Sequence, residues 1–354
     1  MVRFGSRLVG DGAPCFITFE AGATHNSLES AKRLVSLAAE AGADAVKFQI
    51  ADPDRLIADK AMPFSYKVLT DRETGAMETV TEPLYDIICR RALPWDEWRE
   101  VKRHSDSLGL AFFATVCFDD EVDFLAELGC DSIKIASSDV NNFPLIRRAA
   151  KTGMCIQLDT GNSTIGEIEA AVDVAREAGN ENIIIHQCPS GYPARLESIN
   201  LRIIPTLKRM FPFPIAFSDH TPGWDMDIAA IALGANLVEK TITEDRTTRS
   251  VEHVFSLEPG DMKAFIRAIR ELEIALGAPR RMMTREEREN RIKVRRSTFL
   301  KRAVKAGARL GEAEIEFRRP GIGISPSLYE ELAGLRFRKE FPEGHMVWLG
   351  DLEE

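Results

Sequence analysis

No run of 18 or more apolar residues occurs in the 354-residue chain, so the sequence offers no membrane-spanning helix. A basic-then-apolar leader is also missing, because the opening M-V-R-F-G-S-R-L-V-G-D-G is too polar. A cytoplasmic protein with no membrane contact is therefore expected. Basic residues are in deficit: 46 Lys and Arg stand against 55 Asp and Glu, a net charge of -9. That balance argues against a nucleic-acid surface and leaves room only for a local basic site that takes a small anion. No C-x-x-C pair joins any of the six cysteines, Cys15, Cys89, Cys117, Cys130, Cys155 and Cys188. They are expected to be reduced core or pocket-wall residues.

What the chain does have is alternation. Short β-rich runs fall at 15–20, 43–50, 110–115, 131–137, 154–160, 182–188, 214–220 and 236–240. Between them, apolar residues at spacings of three and four predict helices at 27–42, 120–129, 164–179, 224–234 and 259–277. Thr164 with Glu167 three residues on reads as a capping box, and several helices end in Gly. Eight such units fit an α/β fold of the (β/α)8 TIM-barrel type better than the alternative, an open doubly wound sheet.

Residues 52–107 interrupt the rhythm with a long excursion and two helices, near 84–93 and 95–108, placed to wall or cover the catalytic rim. The barrel is expected over 1–280 and a charged linker or helix over 281–296. A small β-rich domain is expected over 297–354, with strands at 299–304 and 346–349.

In such a barrel the chemistry gathers at the C-terminal ends of the strands. Here those ends carry Glu20, Lys47 with Gln49, Lys134 with Ser137, Asp159 with Thr160, His186 with Gln187, Ser218-Asp219-His220, and Glu239-Lys240 followed by Thr241. One such lysine is equally explained as a snorkelling or salt-bridged rim group. Three lysines among several carboxylates at one mouth point to an anionic substrate, because such charges are rarely buried without partners. Lysines suit phosphate and carboxylate groups, and Ser137, Thr160 and Ser218 can donate hydroxyl hydrogen bonds to the same oxygens. Glu239 is expected to steady Lys240. His220 could bind a metal or move a proton. A Schiff-base aldolase using Lys47, Lys134 or Lys240 fits the same pattern.

Several strings, in order and at compatible spacing, resemble the sialic acid synthase family of phosphoenolpyruvate-condensing enzymes. They are F-E-A-G-A-T-H-N, A-E-A-G-A-D-A-V-K-F-Q, D-S-I-K-I-A-S-S-D-V-N-N-F-P-L-I, A-K-T-G-M-C-I-Q-L-D-T-G, C-P-S-G-Y-P, F-S-D-H-T-P-G, L-G-A-N-L-V-E-K and R-P-G-I-G-I-S-P. The resemblance covers nearly the whole chain. It implies a barrel followed by a small antifreeze-like (SAF) domain. The implied reaction joins phosphoenolpyruvate to the open-chain aldehyde of an N-acylated amino sugar, giving a nonulosonic 2-keto-3-deoxy acid and phosphate.

Carried over by position, the resemblance assigns catalytic roles to Glu20, Lys47, Lys134, Asp139 and His220. Phosphoenolpyruvate would be held by Lys47, Lys134 and Ser137, with Asp159, Thr160, Ser218 and Lys240 around it, and the sugar by Gln49, Tyr192, Glu252 and Arg319. His220 matches one of two histidines that bind a divalent metal, Mn²⁺ or Mg²⁺, which polarises the aldehyde. Arg319 matches an arginine that one subunit inserts into its partner's barrel, which implies a domain-swapped homodimer.

The sequence also departs from the family. Thr241 replaces the second metal histidine, and a hydroxyl is a poor ligand for a transition metal. Asp139 stands for a glutamate, Asp159 for a serine, Gln187 for a histidine and Glu252 for an aspartate. Glu20, Asp139, His253 or water could complete the metal shell, or lysine and histidine could polarise the aldehyde without metal. A catalytically inactive sugar-acid-binding homologue is the remaining alternative.

Overall fold

Eight parallel strands close into a barrel in the computed structural model, which describes all 354 residues. They are β1 (Phe16–Glu20), β2 (Ala45–Gln49), β3 (Ala111–Val116), β4 (Ser132–Ile135), β5 (Cys155–Asp159), β6 (Ile183–Gln187), β7 (Ile215–Asp219) and β8 (Leu237–Thr241). The sheet closes where β8 pairs with β1, Thr241 opposite Glu20 and Glu239 opposite Thr18. Each strand lies within three residues of its expected position. The largest shifts, two residues, are at the start of β2 and at the end of β4, where Ser137–Asp139 forms a 3-10 turn instead of continuing the strand.

Successive side chains on a strand face opposite sides, and here that period divides each strand between core layer and lumen. Outward residues such as Ile17, Val46, Phe48, Ile133, Ile156, Ile185, Phe217 and Val238 pack beneath the helices in the main core. Inward residues form layers. Phe16, Ala45, Cys155, Ile184, Ala216 and Leu237 make an apolar floor, sealed by Phe4 of an N-terminal hairpin whose ring lies 4.6 Å from Phe16 and 5.2 Å from Phe113. One step up, the same faces carry Thr18, Lys47, Lys134, Gln157, His186, Ser218 and Glu239, all buried.

The helices follow from local signals. Leu28–Ala41 starts at Ser27, whose hydroxyl accepts from Ser30 N, and ends at Gly42, which takes the left-handed φ of 93°. Its Ala31, Leu34, Val35 and Ala38, at spacings of three and four, are buried. The Thr164–Glu167 capping box is present. Two further helices, Phe143–Lys151 and Ile203–Met210, were not expected. Each holds a proline in its first turn, which reads as a breaker in sequence but is harmless where the N–H has no intrahelical acceptor.

The excursion after β2 is also more regular than expected. Pro63–Leu69 and Met77–Pro83 pair as an antiparallel hairpin, ahead of helices Leu84–Cys89 and Trp95–Ser107. Tyr66, Val68, Val80 and Ile87 of this segment pack with Val251, which follows β8, so the excursion is anchored to the C-terminal end of the barrel. Four cysteines are buried and Cys117 is half-buried, but Cys89 is exposed, against the expectation of a core or pocket residue. None is disulfide-bonded. No helix is long and apolar enough to cross a membrane.

The chain divides into two units, Met1–Gly277 and Ala278–Glu354. The stretch read as a linker lies in the second unit and contains helix Arg285–Val294, capped by Thr284 and Glu287. That unit pairs Ser297–Leu300 with Ile315–Arg318 and Arg336–Phe337 with Leu352–Glu353 around Leu300, Leu310, Ile324, Phe337, Phe341, Val347 and Leu352. Residues 346–349 form no strand of their own, and only Met346 makes a bridge, to Phe299.

Candidate active site

A cavity of about 280 Å³ opens at the C-terminal end of the barrel. Of the residues singled out in the sequence, Glu20, Lys47, Gln49, Ser137, Asp159, Tyr192, His220 and Glu252 line it. Lys134 and Ser218 lie fully buried just beneath. Gly22 borders Glu20 and Gln49, and a Cβ there would meet the Gln49 N at 2.4 Å, so only glycine fits this edge.

The centre of the site is Glu239, whose role the sequence reading assigned differently. Its Oε1 accepts from Lys47 Nζ at 2.7 Å and its Oε2 from Lys134 Nζ at 2.6 Å. Lys47 also pairs with Glu20, and Lys134 reaches Asp159 Oδ1 at 2.9 Å and Ser218 Oγ at 2.9 Å. Burial alone would raise the Glu239 carboxyl, but Lys134 and Lys47 outweigh it and hold it well below the usual carboxylate range. Burial would likewise discharge Lys47, yet Glu20, Glu239 and Asp159 hold its ammonium well above its ordinary value. Burial pushes Glu20 upward, only partly offset by Lys47, and the backbone N–H of Gly22 donates to it.

In the same buried layer His186 is neutral, since burial and then Lys134 lower it to about 3. Its Nε2 lies 2.8 Å from Gln157 Oε1, and Gln157 Nε2 donates to Ser132 Oγ at 2.8 Å. An amide oxygen only accepts, so the proton sits on Nε2 and Nδ1 accepts, 2.9 Å from Ser218 Oγ. These groups hold Lys134 from the side. Alternation along the strands was the signal for Glu239, His186 and Gln157, because each shares parity with a lumen residue.

The same parity removes two proposed anion ligands. Lys240 points away from the cavity into the helix layer, where it pairs with Asp219, donates to Thr221 O at 2.6 Å and stands 3.6 Å from Asp227. It neither lines the mouth nor contacts Glu239. Thr160 faces outward too, donating its hydroxyl to His186 O at 2.7 Å. Asp139 does not line the cavity either: in its 3-10 turn it accepts from Ser138 and from Asn142 Nδ2, each at 3.0 Å. Gln187 likewise turns outward and donates to Ile199 O at 2.9 Å. Arg319 is exposed and belongs to the second unit.

The opposite wall is built differently. Tyr192 packs on His220, ring centroids 4.7 Å apart, with Phe255 behind at 6.0 Å from the imidazole. Burial lowers His220, which is therefore neutral, and its Nδ1 lies 3.3 Å from Pro189 O, leaving the Nε2 lone pair free. Thr241 donates to Glu252 Oε2 at 3.2 Å. Burial, and then repulsion from Glu20, raise the Glu252 carboxyl to about 7.

These donors do not fit a preformed divalent-metal centre. His220 is the one imidazole lining the cavity, the hydroxyl of Thr241 is committed to Glu252, and no three His, Cys, Asp or Glu side chains gather around one point. His253 is not at the cavity but bonds Thr243 Oγ1 at 2.7 Å through Nδ1. Nor do the lysines fit an imine-forming amine, which must be neutral: Lys47 and Lys134 are each clasped by two carboxylates, and Lys240 lies outside the site.

Comparison with known proteins agrees with this geometry. The NeuB family profile matches residues 34–281. The N,N'-diacetyllegionaminic acid synthase of Campylobacter jejuni is 33% identical over 334 residues, 94% of this chain and 98% of that one. Human N-acetylneuraminate-9-phosphate synthase is 34% identical over 281 residues, 78% of this chain and 75% of that one. Among solved structures, the N-acetylneuraminic acid synthetase of Leptospira borgpetersenii superposes with a TM-score of 0.71 at 28% identity, covering 82% of this chain and 94% of that one.

Proposed function

The chain belongs to the NeuB family, and from that premise we propose that it is a transferase condensing phosphoenolpyruvate with the aldehyde of an open-chain amino sugar. The products are phosphate and a nonulosonic 2-keto-3-deoxy acid. The observation that carries this reading is the buried Lys47–Glu239–Lys134 bridge at the base of a cavity whose other wall holds Glu252, His220 and Tyr192.

Phosphoenolpyruvate is the anionic partner. Lys47, kept charged by Glu20 and Glu239, directs an N–H donor at its phosphate and carboxylate oxygens, Lys134 braces Glu239 from beneath, and Ser137 supplies a hydroxyl. Carbon 3 attacks the aldehyde carbon, a C–C bond forms, and the aldehyde oxygen takes a proton. Glu252, half protonated near neutrality, supplies it. Carbon 2 is left electron-deficient and accepts water, whose proton passes to Glu20, a better base for its raised pKa. Collapse of this adduct breaks the carbon 2–oxygen bond, so phosphate leaves with the bridging oxygen and water supplies the new keto oxygen. Tyr192 and Gln49 flank the acceptor.

The test is a phosphate-release screen with phosphoenolpyruvate, added divalent cations and a panel of aldehyde sugars, using phosphoenolpyruvate labelled with heavy oxygen at the bridge. Label in the released phosphate is expected. Absence of release with every sugar, or borohydride trapping of substrate on a lysine, defeats the reading.

The second unit is read as the antifreeze-like domain, and Arg319 as a group that serves the barrel of a second subunit in a swapped homodimer. Heterodimers of an Arg319→Ala chain with a Lys134→Met chain should recover activity that neither homodimer has, and no recovery defeats the swap.

A further inference from the structure

Of the cations that line the cavities at the barrel mouth, Lys47 and Arg55 have carboxylate partners and Arg91 does not. Arg91, just after helix Leu84–Cys89, makes no ion pair and no side-chain hydrogen bond, and the nearest acids it feels are Glu252 and Glu20 across the cavity. Glu20 is already taken by Lys47 and Glu252 by Thr241. The adjacent Arg90, in contrast, is forked onto Glu82 at 2.7 and 2.9 Å. Arg91 is also held in place. Its carbonyl lies 2.8 Å from Nε2 of buried His25, which packs against Phe48 and Trp98 at 5.3 and 5.4 Å.

Arg91 lines a side cavity of about 180 Å³ that shares Gln49, Thr115, Ala136 and Ser138 with the catalytic cavity. That is room for a substituent of several heavy atoms, roughly six waters' worth of liquid volume. Its remaining wall is mainly apolar and includes Ile50, Leu56 and Ile88. The half-buried guanidinium has no counter-charge, and a planar guanidinium is shaped to clasp a carboxylate or phosphate through two N–H groups.

We propose that Arg91 is an acceptor-specificity residue: it binds an anionic substituent, carboxylate or phosphate ester, carried by the acceptor sugar away from its aldehyde. The proposal rests on the synthase reading above. It makes the true acceptor a negatively charged sugar that enters with its charged end in the side cavity and its aldehyde toward Glu252 and His220.

The test compares phosphate release at saturating phosphoenolpyruvate with N-acetylmannosamine, its 6-phosphate and the corresponding 6-carboxylate. In the natural protein, at least one anionic acceptor is expected to exceed the neutral sugar in kcat/KM by about 100-fold, and the phosphate and carboxylate arms identify the group. Arg91→Met should erase about that 100-fold preference, through KM for the acceptor rather than kcat, and Arg91→Lys should restore part of it. A natural protein that uses the neutral sugar as well as either anion overturns the proposal and leaves the synthase reading standing, whatever the folding of the variants. An Arg91→Met change that lowers all three acceptors equally also overturns it. No release from any acceptor defeats the synthase reading itself and this proposal with it.

Discussion

The two walls of the cavity handle charge in opposite ways. On the Lys47–Lys134 side every ionic group is buried and already paired within the chain: Glu239 spans both lysines, and Glu20 and Asp159 close the set from either flank. On the Glu252 side the groups are loosely matched, with a carboxyl raised to about 7 and a neutral His220, and Arg91 in the adjoining side cavity is unpaired. The paired wall is a preorganised anion cradle whose donors need no rearrangement, which is where fixed charge does most for catalysis. The loose wall leaves its groups free to respond to whichever acceptor arrives. A family can thus keep one wall for its common substrate and vary the other.

The largest effect is expected from Lys134→Met in the paired wall. It strands Asp159 and half of Glu239 in a buried layer, so stability should fall by ~3–5 kcal/mol. Phosphate release per folded enzyme should fall by about 1000-fold in kcat/KM for phosphoenolpyruvate. Thermal melts and a phosphate assay read the two effects. A variant with near-normal kcat/KM would show that the paired wall is scaffolding only.

Glu252→Gln addresses the loose wall. If its carboxyl delivers the proton, kcat in the natural protein should decline as pH rises through about 7, because the protonated form is lost. The variant should lose that limb and about 100-fold in kcat. Stability has a definite sign as well. The folded pKa lies above the ordinary carboxyl value near 4.3, so the folded state holds the proton more tightly, and raising pH from there to about 7 costs the natural protein stability. The gain in melting temperature of Glu252→Gln over the natural protein should therefore be greatest above pH 7. A pH-independent difference would remove Glu252 from the proton step.

Thr241→His sharpens the comparison from the other direction. Asp219 pairs with Lys240 across β7 and β8, so the next residues, His220 and position 241, end neighbouring strands. A second imidazole there should tighten Mn²⁺ binding to metal-stripped protein by about tenfold in a calorimetric titration. An unchanged titration would mean that the two positions do not share an ion.

The smallest effect on catalysis is expected from the outward pair. Thr160→Val and Lys240→Met should each leave KM for phosphoenolpyruvate within about twofold, while Lys240→Met alone lowers the melting temperature by stranding Asp219. A large rise in KM for either would return that residue to the anion site.

Much of this was legible in the sequence because it depends on local periodicity. Eight apolar runs separated by helices with a 3.6-residue pattern fix a barrel, and strand ends rich in ionisable groups fix where its chemistry lies. Lys47, Lys134, Glu20 and His220 were found in that way. The hairpin at 63–83 was not, because it is largely exposed and its polar residues mask the alternation. Lys240 was misplaced because charge alone was read there, although N-L-V-E-K-T already gives Leu237, Glu239 and Thr241 one parity and Val238 and Lys240 the other. Arg91 carried no signal, since it follows a short helix beside a second arginine that looks identical to it in sequence.

The barrel, its polar rim and the family resemblance are written along the chain as periodicity and motif strings. Which charges meet is set by the folded chain. That Glu239 binds two lysines 192 and 105 residues away, that Lys240 serves the helix layer, and that Arg91 faces the cavity unpaired while Arg90 does not all depend on closing the sheet. Charge is a property of a residue, whereas its compensation depends on distance and burial, and these exist only once the strands are in register.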